Sequence, residues 1–183
     1  IEKFLIARRL MFWQVYLHKT CIAADQMLIN ILKRAKELAG KGTELFCTPA
    51  LHFFLYKKIT INDFTDSSNE ALNMFAGLDD DDVMTSIKVW ASHSDFILSY
   101  LCKGITNRKL YHIDLQKQTF NEEKIDEIKN KLCKKFNINN TDINYFVVSD
   151  YTSNNAYYAD DEKINIMYNN GDLMDIAEAS DMF

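Results

Sequence analysis

Arg8, Arg9, Tyr16, His18 and Lys19 crowd into one short stretch, IEKFLIARRLMFWQVYLHKT, that is otherwise strongly apolar. A guanidinium presents a planar fork that matches phosphate oxygens. A Tyr two turns further along can pack against a sugar or a base. Cations inside an apolar helix cost free energy unless something pairs with them. At roughly 100° per residue on a regular helix, Arg8 and Lys19 fall about 20° apart on one face. Arg9 and Tyr16 fall about 20° apart on the neighbouring face, and Tyr16 and His18 about 160° apart. Such a helix offers polar groups to two sides. The spacing leaves two readings open: contacts to phosphate, or ion pairs with Asp and Glu elsewhere in the body.

The element carrying these groups runs without Pro or Gly from Ile1 to Ala39, and Gly40 and Gly42 supply a stop. One continuous helix of that length reaches roughly 55–60 Å, longer than a small domain is wide. A kink, or two helices in series, is therefore expected. Phe4–Leu17 is apolar on nearly every side, the pattern of a central helix contacted all round.

The next elements also read as helices. Thr48-Pro49 starts ALHFFLYKK, DSSNEALNMFAG ends at Gly77, and HSDFILSYLCKGI takes Ser94 or Asp95 as its N-cap. ITINDF alternates and reads as extended. The four aspartates of LDDDDVMTSIKVWAS precede an apolar-periodic run, so they read as helix caps ahead of cation ligands. From Arg108 the pattern changes. RKLYHIDLQ alternates with period two, as a strand does. NEEKIDEIKNKLCKKF is an amphipathic helix, and INYFVVSDY reads as a strand. TSNNAYYADDE reads as a loop, and KINIMY-NNG-DLMDI as a hairpin. The expected fold is mainly α: a helical body over residues 1–106 around one long N-terminal helix, then a small α+β lobe, β-α-β-β-β, over 107–183.

Composition narrows the function. Of 183 residues, 48% are hydrophobic and 26% charged, which fits a globular chain. The formal net charge of -5 gives no overall basic footprint, so no nucleic-acid partner is expected. Cys21, Cys47, Cys102 and Cys133 lie far apart without metal-ligand spacing, and read as reduced thiols of a cytoplasmic protein. Phe4–Leu17 is too short and too charged to span a bilayer, so no membrane partner is expected. There is no GxxxxGK[ST] loop, GxSxG elbow, HExxH or GxGxxG. None of His18, His52, His93 and His112 has a ligand-like neighbour, and no complete catalytic constellation is present. The start at Ile1, without Met, and the stop after DIAEASDMF read as those of a piece of a longer protein.

IEKFLIARRLMFWQVYLHKT resembles the helix that follows the HD domain in HD-superfamily phosphohydrolases. More narrowly, it resembles that of the deoxynucleoside triphosphate triphosphohydrolases, which include the SAM-and-HD-domain enzyme and its bacterial relatives. LDDDDVMTSIKVWASHSDFILSYLCKGITNRKLYHI resembles the segment leading to that family's Arg-x-Leu-aromatic strand. Together they cover about Ile1–Ile113.

The resemblance implies a metal-dependent enzyme that binds its divalent ion through two His and two Asp, including a His-Asp doublet. A water so activated attacks the α-phosphate and releases nucleoside and triphosphate. This sequence has no His-Asp doublet; in the family those ligands lie before the ARR helix, so this segment is expected to be inactive alone. Carried over by position, Arg8 matches a phosphate-contacting Arg of the substrate pocket, and Tyr16 a Tyr against the substrate sugar. His18 and Lys19 match a His-Lys pair at a regulatory nucleotide site between subunits, and Arg108 a second regulatory Arg. Phe12 stands where the SAM-and-HD-domain enzyme has His, so a contact made there is not carried over. The implied partners are deoxynucleotides and further copies of the chain. The reading from another class is a helical interaction or oligomerisation module that binds no nucleotide, with the same cations in salt bridges.

Overall fold

The stripe Ala23, Met27, Ile31, Ala35, Leu38 and Ala39 recurs at helical spacing, and every one of its members is buried. It belongs to α2 (Lys19–Gly40), the longest helix among the residues described by this computed structural model, namely 2–65, 68–153 and 163–180. The described chain divides into two compact units, one of residues 1–22 with 149–183, the other of residues 23–148.

In the second unit the stripe of α2 meets three further helices: α3 (Pro49–Tyr56), α5 (Asp80–Trp90) and α6 (Phe96–Thr106). Leu51 and Leu55 come from α3, Ile87 and Trp90 from α5, and Ile97, Leu98, Leu101 and Cys102 from α6. Trp90 and Leu98 are almost completely buried. Burying each such side chain contributes about 1.5–3 kcal/mol. Trp90 also donates its indole N–H to the Phe46 carbonyl at 2.8 Å, which satisfies its one polar atom. Tyr56 accepts from the Leu45 N–H at 2.7 Å and donates to the Thr43 carbonyl at 3.0 Å, so the 43–48 link is tied down.

Caps set the boundaries. Asp79 accepts from the Asp82 N–H, and Asp82 returns the bond to the Asp79 N–H, both at 3.0 Å. The acidic run is thus a capping box opening α5. Asp95 caps α6 by accepting from the Leu98 N–H at 2.8 Å. A short helix, α4 (Glu70–Ala76), ends at Gly77. α7 (Glu122–Phe136) is capped by Asn121 and closed by Asn137 in the left-handed region, φ 53°. Its Phe136 joins Phe96, Tyr100 and Phe146, with ring centroids 5.2–5.8 Å from Phe136.

In the first unit, α1 (Glu2–Met11) and a π-helical turn (Phe12–Tyr16) precede a break at Leu17 and His18. β1 (Asn165–Met167) pairs antiparallel with β2 (Leu173–Asp175), Ile166 opposite Met174. Gly171, at φ 90°, makes the turn between them. α8 (Ile176–Ala179) follows, and the Ser180 hydroxyl donates to the Glu2 carboxylate.

Four expectations are corrected. The β-α-β-β-β lobe does not form: among the described residues the only sheet is the β1–β2 hairpin, with eight α-helices around it in sequence. Residues 110–116 form no helix and have no ladder partner among the described residues, and the INYFVVSDY run begins as a 3-10 helix at Asp142–Tyr145. ITINDF is also a 3-10 helix, at Ile61–Phe64, because Thr60 and Asp63 close a capping box around it. Phe4–Leu17 is not enclosed: Phe4 is 67% and Trp13 57% exposed, and Leu5 alone is buried there. Two helices in series, the capped acidic run and the Asn-Gly hairpin are as expected. Most of the TSNNAYYADDE loop lies outside the described residues.

Gly104 marks the closest approach in the core. A Cβ placed there meets the Met27 Cε at 2.4 Å and the Lys109 carbonyl at 3.1 Å. Met27 is itself 1% exposed, so its terminal methyl has to repack within the core, and the Lys109 carbonyl is backbone. Gly104→Ala is expected to lower stability by about 1–3 kcal/mol in urea denaturation, despite the better helix propensity of Ala.

Candidate functional site

Arg8, Phe12 and Tyr16 form one ladder. The Arg8 guanidinium carbon lies 5.9 Å from the Phe12 ring centroid, and the Phe12 and Tyr16 centroids are 5.0 Å apart at 56°. Arg8 and Phe12 are one α-helical step of four apart. Phe12 and Tyr16 are four apart on the wider π turn, whose i→i+5 bond runs from the Leu17 N–H to the Phe12 carbonyl at 2.8 Å. Phe12 and Tyr16 stay in contact across the π turn. Tyr16 is 53% exposed, and Arg8 and Arg9 are also exposed. Among the described residues neither Arg makes an ion pair. The structure thus brings Arg8 and Tyr16 together through Phe12, which the spacing count had not linked to them.

The same π turn resets the angular count that assumed a single regular helix. His18 is not mid-helix. Its carbonyl accepts the Ile22 N–H at 3.1 Å, and its Nδ1 accepts the Thr20 N–H at 3.2 Å, so it caps the start of α2. Lys19 follows as the first helical residue and is exposed, without an ion pair among the described residues.

Arg108 belongs to the other unit. It sits just past α6 with φ 56°, where its N–H bonds the Ile105 carbonyl at 3.2 Å and the Lys109 N–H bonds the Gly104 carbonyl at 2.8 Å. This is a Schellman close, in which the left-handed position usually falls to Gly. An L residue there costs about 1–2 kcal/mol.

Within the second unit, the most elaborate polar assembly centres on Arg34. Its Nη2 meets the Asp95 Oδ2 at 2.6 Å and its Nε the Oδ1 at 3.2 Å; its Nη1 meets Glu37 at 2.9 Å and Asp142 at 3.3 Å. Tyr145 donates to Glu37 at 2.8 Å, with its ring 5.6 Å from the guanidinium carbon. Asn30 donates to the Tyr111 hydroxyl at 3.3 Å and the Tyr145 carbonyl at 3.4 Å. Arg34, Glu37 and Tyr145, with Lys33, Lys41 and Asn144, line a hollow of about 550 Å³. Its floor is internally satisfied, so Arg34 has little left to offer a ligand.

The electrostatics follow from these bonds. The Arg34 guanidinium is held charged, first by its bond to Asp95. Glu37 is pulled down to about 2 by bonds from Lys41 and Tyr145, and further by Arg34, against its burial. Burial pushes Asp95 up, but the Arg34 and Leu98 bonds outweigh it and leave its carboxyl below the usual range. Tyr145 is raised to about 12 by burial and its bond to Glu37.

Sequence reasoning missed this assembly. Arg34 and Glu37, with Glu37 and Lys41, have helix-neighbour spacing and were legible. Asp95 and Asp142 lie far off in sequence and carried no signal. Among the described residues, no group of three or more His, Cys, Asp or Glu is disposed to hold a metal ion. No helix among them is long and apolar enough to cross a membrane.

No family model matches the chain. It is similar to the uncharacterized protein YwfO of Bacillus subtilis (strain 168), 27% identical over 188 residues, covering 98% of this chain and 40% of that protein. It also superimposes on the crystal structure of a phosphohydrolase from Bacteroides thetaiotaomicron VPI-5482, with a TM-score of 0.84 and 44% identity. That match covers all of this chain and 44% of the other, so the chain spans less than half the length of either protein. Mainly helical and similar to part of a phosphohydrolase, the chain holds no complete metal-binding group among its described residues.

The Arg34 assembly sets an acid-stability test. Glu37 and Asp95 titrate below their ordinary values when folded, so the unfolded chain binds more protons through that window. Their contribution is present above the unfolded carboxylate range and is lost as pH falls through the folded values, for Glu37 from about 4.5 toward about 2. Glu37→Gln is expected to flatten that limb of the stability profile in denaturant titrations. Arg34→Met, which strips Asp95 and Asp142 of their cation and leaves Glu37 with Lys41 alone, is expected to cost about 2–4 kcal/mol at neutral pH.

Proposed function

We propose that the chain is part of an HD-type phosphohydrolase that cleaves deoxynucleoside triphosphates to nucleoside and triphosphate. Arg8 contacts substrate phosphate and Tyr16 the substrate sugar. His18, Lys19 and Arg108 contribute to a regulatory nucleotide site, and the enzyme works as a homo-oligomer. The likeness to a phosphohydrolase supports the reaction class. The observation that carries the site is the Arg8–Phe12–Tyr16 ladder: an exposed guanidinium, committed to no carboxylate among the described residues, seated on aromatic rings. A fork held on a ring face keeps its donor edge open to phosphate oxygens.

The metal that such an enzyme uses is not accommodated by this chain's described residues, which bring no donor set together. Its ligands, a His-Asp doublet among them, would be supplied by the remainder of the full-length protein. What this chain does is hold the nucleotide. Arg8 fixes phosphate charge, and Tyr16 with Phe12 supplies an apolar wall that orients the sugar and excludes water from that side.

The interaction-module reading keeps one observation in its favour. Phe4, Leu10, Trp13 and Val15 are each at least half exposed on the same segment, which suits a protein interface. The two readings part on nucleotide binding. Calorimetric titration of the full-length protein with dGTP is expected to show binding that Arg8→Ala weakens; the absence of any binding, with assembly intact, favours the module.

Three outcomes test the enzyme reading further. With a divalent metal, the full-length protein is expected to release triphosphate from dGTP, and the 183 residues alone to release none. Arg8→Ala is expected to reduce kcat/KM by roughly 10–100-fold, the loss of one charge-assisted phosphate contact of about 1.5–3 kcal/mol. Arg108→Gly relieves the left-handed strain, so stability is expected to hold or rise by up to about 1 kcal/mol while activation by a second nucleotide is lost.

A further inference from the structure

Asn30 is only 4% exposed, yet one of its polar atoms has no partner. Its Nδ2 is directed at the Tyr111 hydroxyl, at 3.3 Å, and at the Tyr145 carbonyl, at 3.4 Å. A carbonyl can only accept, and Tyr111 gives its one proton to that same carbonyl. The amide therefore cannot be turned round, and Oδ1 is the atom left over. It accepts no bond among the described residues. Nor is it sealed off, since among those residues the side-chain polar atom both shut from solvent and unpartnered is Thr48 Oγ1. Asn30 lines the hollow of about 550 Å³ beside the Arg34 knot, and its oxygen is reached from there.

The rest of the lining sorts by charge. Asp142 accepts one bond on each oxygen, from Arg34 and from Asn139, and each oxygen has room for a second. The buried side of the hollow thus presents acceptors and calls for donors. Arg34 lies against the same carboxylates and repels a cationic donor, so neutral hydroxyls suit it. On the exposed side Lys33 makes no ion pair among the described residues, and Thr141 and Asn144 stand beside it in the lining. An ammonium of this kind takes an anionic group. Tyr145, the aromatic residue of the lining, is already engaged, its ring with Arg34 and its hydroxyl with Glu37, so no base-stacking platform is offered. The volume falls within the roughly 300–1,000 Å³ of small-molecule sites, but those are mostly apolar and this one is polar.

We propose that this hollow binds an anionic polyol, a compound whose hydroxyls reach Asn30 Oδ1 and Asp142 while its phosphate or carboxylate meets Lys33. None of these residues belongs to the nucleotide site described above, so the two readings stand or fall separately.

Calorimetric titration of the full-length protein carrying Arg8→Ala keeps the substrate pocket from dominating the signal. Ribose 5-phosphate and gluconate are the probes, and binding of either supports the proposal, the tighter one naming the anionic group. Ribose, which lacks the anion, and inorganic phosphate, which lacks the hydroxyls, are each expected to bind at least about tenfold more weakly. Lys33→Gln, at an exposed side chain, is expected to weaken the bound probe about tenfold and to leave the melting temperature of the free protein unchanged. No binding of either probe, equal affinity for inorganic phosphate, affinity indifferent to Lys33→Gln, or tighter binding of AMP than of ribose 5-phosphate each overturns the proposal. Triphosphate release from dGTP is read in a different assay, so a failure here leaves the proposed reaction untouched.

Discussion

One cation and three carboxylates organise the second unit. Arg34 points from the buried stripe of α2 into a place where water is scarce, and an unpaired guanidinium there is costly. Asp95, Glu37 and Asp142 remove that cost, and each arrives from a different part of the chain. Asp95 does two jobs, since the oxygen that accepts from Arg34 Nε also caps α6. The start of α6 and the middle of α2 are therefore fixed by the same carboxylate. Asp142 and Tyr145 draw the turn after α7 into the same knot, so the chain beyond the amphipathic helix is placed by polar bonds as much as by Phe136 and its ring neighbours.

The helical half of this architecture was legible because it rests on local rules. The Asp95 cap, the Asp79–Asp82 box, the Gly77 stop and the period of the α2 stripe all act within a few residues, although the Thr48 hydroxyl expected to cap α3 makes no cap bond. The hairpin was legible for the same reason, since Asn-Gly dictates its turn. Strand patterns at 108–116 and 143–151 misled because alternation reports only that one face is covered. In the first case the cover is the Tyr111 anchor and the core beside it; in the second, Asn139 and Asp142 bond locally and wind the chain into a 3-10 turn. Alternation does not say whether a ladder partner exists.

At the candidate site the sequence named the residues better than their arrangement. Arg8 and Tyr16 were picked for their chemistry, and counting degrees put Tyr16 beside Arg9. The π turn changes that count, and Phe12, noted only as a departure from a relative's His, turns out to join the two. Phe4–Leu17 looked like a core helix because hydrophobicity cannot tell burial in one's own fold from burial against something else.

The break at Leu17 and His18 has an electrostatic consequence as well as a geometric one. An uninterrupted rod would have a single positive pole, at its far N-terminal end. Restarting the helix at Lys19 creates a second positive pole in mid-course, equivalent to roughly half a unit charge. No acidic residue occupies the first turn of α2 to offset it, and Lys19 adds to it. The helix thus begins with an electrostatic deficit of about 0.3–1 kcal/mol that water answers only in part. An interruption of two residues has turned the middle of a helical stretch into a place where negative charge is welcome.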